Sequence, residues 1–65
     1  MYRFNFDFFN RRLAQLNMSF DDYCRKYDRS PAAFRRWENG RMIQRNTVEL
    51  IGYDLNTTWT NLIQA

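Results

Sequence analysis

Apolar residues recur along most of this chain at the three-and-four spacing of an amphipathic helix, and the interruptions fall where helix caps belong. Phe6, Phe9, Leu13 and Leu16 make one stripe, which predicts a first helix from about Asn5 or Phe6 to Leu16, stopped by Asn17. Ser19 followed by Asp22 is a capping-box-like entry, with the serine oxygen taking an orphan N–H and the acid lying against the positive helix end. A second helix therefore starts at Phe20. Ser30 before Pro31 repeats the signal, because proline is pre-organised for the first helical position, and Asn39–Gly40 closes this third helix. Only Asp28, Arg29 and Ser30 separate the second and third helices, so Ser19 to Gly40 reads as helix-turn-helix. Met42 or Ile43 anchors the loop that follows. Asn46 with Glu49 marks the start of a fourth helix through about Tyr53, with Val48, Leu50, Ile51 and Leu55 as core candidates and Gly52 as a weak point. Asn56, Thr57 and Thr58 form a turn and cap before a last helix with the stripe Trp59, Leu62 and Ile63. Residues 1–6, MYRFNF, alternate aromatic and polar as a strand does, but one short strand has no partner in such a chain. Residues 1–5 are read instead as an extended arm, with Phe4 packing and Tyr2 and Arg3 as alternative contacts to DNA or a second subunit. The expectation is one all-α domain over residues 1–65, a bundle of five short helices.

The third helix divides its residues by angle. At about 100° per residue, Ala33, Phe34 and Trp37 fall on an apolar side, while Ala32, Arg35, Arg36 and Asn39 fall on the other. Such a polar face suits close approach to a groove, and guanidinium forks match guanine O6/N7 or phosphate. On an arbitrary helix the two arginines would be ordinary solvated surface; the helix-turn-helix context gives them a role.

The run RWENG at Arg36–Gly40, preceded by RSPAAF and SFDDYCRKY, resembles the lambda-repressor-like (Cro/repressor, XRE-type) DNA-binding family over roughly residues 6 to 64. The resemblance implies five short helices with the second and third as the reading unit. It implies that Pro31, Ala32, Ala33, Arg35 and Arg36 lie at or near the bases of the major groove, and that Ser30, Asn39, Arg41 and Arg45 face phosphate. For Arg41 and Arg45, solvated loop charge is the alternative. It also implies a structural pairing of Arg12 with Glu38 beside the buried Phe34 and Trp37. Three positions depart from the family pattern: Phe20 stands for the usual glutamine, Asp28 for the turn glycine, and Arg29 for a small apolar turn residue. Aspartate tolerates left-handed backbone, so the turn survives.

Length and charge narrow the function further. Sixty-five residues bury only about 60% of the unfolded surface and leave no room for a second, ligand-sensing domain. Ten Lys+Arg against seven Asp+Glu give a net charge of +3, and nine of the ten cations are arginine, which favours phosphate and base recognition. Cys24 is the only cysteine and there is no histidine; this predicts a buried thiol, no disulfide, and no metal site or cofactor. Asp21 and Asp22 are first-turn partners of a helix dipole, and Ser19 and Ser30 have no base to activate them, so no catalytic residue is expected. No stretch reads as a membrane span or signal peptide, which predicts a cytoplasmic protein.

The expected function is a small sequence-specific transcriptional regulator of the Cro-like phage or plasmid kind. It would repress by occupying a palindromic operator in double-stranded DNA as a homodimer, with no small-molecule ligand. The alternative is a helix-turn-helix module acting mainly on other proteins, as an anti-repressor, antitoxin or bridging factor, which Phe20 and its neighbouring acids favour. The dimer surface is assigned to Trp59, Leu62 and Ile63, whose apolar area exceeds what a terminal helix needs to seal a small core. The competing arrangement turns all three inward and leaves a monomer that pairs only on DNA.

Overall fold

The computed structural model describes residues 1–65: four α-helices and one 3-10 turn, with no strand beyond two isolated bridges. Helix α1 spans Phe6–Gln15 and is capped by Asn5, whose side chain accepts the Phe8 N–H at 3.0 Å. Helix α2 spans Phe20–Tyr27, and the Ser19 hydroxyl accepts the Asp22 N–H at 3.1 Å as the capping pattern requires. Helix α3 spans Pro31–Glu38; Ser30 precedes it but makes no side-chain cap bond, and proline at the first position carries the start alone. Asn17, Asp28 and Asn56 take left-handed backbone at φ 56°, 55° and 51°. Each is an Asn or Asp at a helix end, where those residues tolerate that geometry best. Gly40, at φ 99°, does the same after α3.

Helix α4 departs from expectation. It spans Arg45–Asp54 with Gln44 at the cap position and no side-chain cap bond, so Asn46–Glu49 is not a capping pair. Glu49 instead pairs with Arg45 at 3.4 Å. Leu50, expected in the core, is 49% exposed, whereas Val48, Ile51 and Leu55 are fully buried. Gly52 is a close-packing position rather than a weak point, because a Cβ there would lie 2.9 Å from the Thr57 carbonyl oxygen and 3.3 Å from the Trp59 backbone. The last helix is only a 3-10 turn, Trp59–Leu62, after which Ile63 is extended. No helix is long and apolar enough to cross a membrane.

The N-terminal alternation does report extended chain, and it has two partners. Tyr2 pairs antiparallel with Ile43, exchanging hydrogen bonds of 2.9 and 2.7 Å, and Phe4 pairs with Ile63. The arm thus lies between the loop after α3 and the C-terminal segment, and Phe4 enters the core at 3% exposure. Phe34 is the hub of that core. It stacks on Phe9 at 5.2 Å and meets Phe20 and Trp37 edge-on at 5.2 and 4.7 Å, with Phe4 and Tyr23 near 6 Å. Edge-to-face rings fill the space that longer aliphatic side chains would fill in a larger domain. Of the loop candidates, Ile43 is the anchor and Met42 is exposed.

Candidate nucleic-acid interface

Residues Pro31, Ala32, Arg35 and Arg36 are exposed together on α3 with Asn39 just past its end, while Phe34 faces the core and Ala33 and Trp37 are half-buried between. The angular division read from the sequence therefore holds, except that Trp37 lies at the edge of the buried face. The three ion pairs of the molecule tie down arginines elsewhere: Arg25 to Asp22 at 2.7 Å, Arg29 to Asp54 at 2.8 Å, and Arg45 to Glu49 at 3.4 Å. Arg35, Arg36 and Arg41 take part in none of them. A cation with no intramolecular acid keeps its full attraction for an external anion.

Two phosphate assignments fare differently. Arg41 lies in the exposed loop beyond Gly40. Arg45 is engaged within the molecule, because besides Glu49 its guanidinium sits 4.8 Å over the Trp59 ring. Ser30 is exposed at the mouth of α3 with its hydroxyl free of any cap bond.

The Arg12–Glu38 pairing is absent. Arg12 donates from Nε to the Leu55 carbonyl at 2.8 Å and from Nη2 towards the Asn56 carbonyl at 3.5 Å, while Glu38 is exposed and makes no ion pair. The guanidinium thus serves the C-terminal end of α4, where free carbonyls and the negative dipole end attract a cation. Of the dimer surface assigned to Trp59, Leu62 and Ile63, only Leu62 is fully buried, and Trp59 and Ile63 are half-buried. Ile63 is held against Phe4, and Trp59 packs edge-on to Tyr2 at 5.4 Å beneath Arg45. The core takes Leu62 whole and the inner faces of Trp59 and Ile63.

One cluster was missed. The Tyr23 hydroxyl donates to Asp54 Oδ2 at 2.7 Å, and Arg29 donates to the same carboxylate from Nε and Nη2 at 2.8 and 2.9 Å. This joins α2, the turn before α3, and the end of α4 through one nearly buried acid, 8% exposed. A signal existed in the sequence: an acid in the last turn of a helix opposes the dipole and needs a cation elsewhere. Burial first, then the bond to Asp54, drives the Tyr23 pKa far up, and the bond to Asp54 raises that of Arg29. The phenol therefore stays a donor and the guanidinium a cation. Nearby, Cys24 is buried as expected, and burial followed by the charge of Asp21 pushes its thiol pKa up. Asp22 is held below the usual carboxylate range by the Ser19 bond and then by Arg25.

The arrangement can present two adjacent unpaired guanidinium groups and a small-residue face on a short helix, with a third arginine at the helix's far end. Comparison with known proteins finds no matching family model, no matching curated protein and no matching solved structure.

Proposed function

We propose that the protein is a sequence-specific DNA-binding regulator of the lambda-repressor-like, helix-turn-helix kind. In this reading α2 and α3 form the reading unit, and α3 enters the major groove with Arg35 and Arg36 towards base edges and Arg41 towards phosphate. One observation carries it: the arginines left without acid partners include the pair on the exposed side of α3 and the one just beyond it, next to small residues that allow close approach. Binding rather than catalysis is the activity proposed, since the one buried titratable cluster, Tyr23–Asp54–Arg29, spends its hydrogen bonds on itself. A cytoplasmic location belongs to the same proposal.

A single such unit covers too little DNA for tight specific binding, so two copies pair over half-sites about one helical turn apart. With Leu62 buried and Trp59 and Ile63 packed against the N-terminal arm, the protein is proposed to be a monomer in solution that pairs on its operator. Gel shift of the purified protein on fragments upstream of its own gene tests the reading. A discrete complex that survives excess random duplex supports it; retention that random DNA removes at equal concentration does not.

A further inference from the structure

We propose that the concavity beside the C-terminal end of α3 binds an acidic, amphipathic segment of another protein, in which carboxylates alternate with large apolar side chains. Its walls are Met1, Ala33, Arg36, Trp37, Arg41 and Met42, and Gly40 lies among them with nothing within 4 Å of where a Cβ would stand. Met1 and Met42 are 71% and 46% exposed, and exposed methionines are adaptable contact surfaces for apolar partners. The backbone beside two of these walls is held by hydrogen bonds. Met1 and Met42 each adjoin a residue of the Tyr2–Ile43 bridge, whose two hydrogen bonds and buried Ile43 hold both chains in place.

Charge selects the occupant. Both ionic side chains in the concavity are arginines without ion-pair partners, and it contains no acid; Glu38 lines the neighbouring depression with Arg3 instead. A second copy is a poor occupant, because a two-fold contact would bring each Arg36 and Arg41 against their equivalents. A DNA backbone would use only the guanidinium groups of the concavity, as in the proposed contact of Arg41 with phosphate, and would leave Met1, Met42 and Trp37 uncovered by any apolar partner. An acidic-apolar segment satisfies both halves: carboxylates meet the guanidinium groups, and an apolar side chain covers Met42 and Trp37. Arg36 also belongs to the exposed face of α3. If the DNA-binding reading is right, on which this one consequence rests, occupant and duplex exclude each other and the partner acts as an antagonist.

The probe is a synthetic amphipathic peptide of Glu and Leu, followed by its effect on the indole N–H signals of Trp37 and Trp59 in NMR spectra of the whole protein. A charge-matched peptide with Ser for Leu is the comparison. Saturable movement of the Trp37 signal with Trp59 unmoved is expected. Met42→Asp and Arg41→Glu, both at exposed positions and checked by melting, should each weaken binding about tenfold or more. Equal binding of the Ser peptide, or no effect of Met42→Asp, overturns the proposal. So does a duplex that moves the Met42 methyl signal while the Glu/Leu peptide moves nothing. A protein that binds the peptide but no duplex keeps the concavity and loses the DNA reading, so the two proposals fail separately.

Discussion

Asp54 ends α4 where the helix dipole disfavours an acid, and the structure accounts for it by the two donors that converge there, Tyr23 and Arg29. Because Asp54 is nearly buried, Arg29→Ala should cost on the order of 3 kcal/mol by leaving that carboxylate short of its cation. Tyr23→Phe, which keeps the ring, should cost about 1.5–3 kcal/mol for one bond to a charged group. A double-mutant cycle by urea unfolding should show coupling between the two substitutions, since they share one acceptor; strict additivity would dissolve the cluster. A pH dependence follows as well. Folding holds Tyr23 protonated well above the ordinary phenol value of 10.0, burial being the main cause. The unfolded chain ionises first, so the stability Tyr23 contributes is complete below that value and falls as pH rises past it. Tyr23→Phe should flatten this alkaline loss, and an unchanged slope would contradict the assignment. Arg29 was legible only as a departure from a turn pattern, because its partner lies 25 positions away and no local spacing points to it. Asp28, whose left-handed backbone is a property of the residue itself, was readable directly.

Among the elements, α1 was legible from its apolar stripe, and α2 and α3 because their ends are local chemistry: a side chain three residues from the N–H it accepts, or a proline or glycine whose own backbone preference decides. The start of α4 was misread because Asn46 and Glu49 have the right spacing but both lie inside the helix, with Glu49 drawn to Arg45 one turn back. The final turn was misread because Ile63 is taken out of helical register by its pairing with Phe4, some 60 residues away in sequence. Gly52 gives a sharp test at this scale. Alanine ordinarily stabilises a helix by about 1 kcal/mol over glycine, yet Gly52→Ala should lower the melting temperature, since its Cβ would press on Thr57 and Trp59 backbone. A more stable Gly52→Ala protein would mean the contact between α4 and the 3-10 turn is looser than described. On α3, Phe34→Ala should cost about 3–5 kcal/mol as a ring lost from the core. The half-buried Trp37 should cost less when truncated; the reverse order would misplace the buried face.

For the whole molecule, which residues of α3 are exposed was readable because a helix's outer face follows from its period. The burial of Leu62 was not, because whether the terminal residues face in or out depends on how much area the rest of the chain leaves uncovered. In so small a domain the core claimed Leu62 entirely. Leu62→Asp should therefore unfold the protein rather than separate subunits, and sedimentation of the intact chain without DNA should show a monomer over a wide concentration range. A native protein that self-associates, with Leu62→Asp folded and monomeric, would restore the terminal surface as the interface.

Arg35 and Arg36, unpaired on the exposed face of α3, are proposed to read sequence. The most direct measurement is selection of bound duplexes from a random pool by the intact protein and by a variant carrying Arg35→Ala and Arg36→Ala. The account predicts enrichment of a palindromic motif with half-sites about 10 base pairs apart, abolished in the variant while weak, salt-sensitive binding through Arg41 persists. Enrichment of no motif by the intact protein, or of the same motif by both proteins, would contradict it.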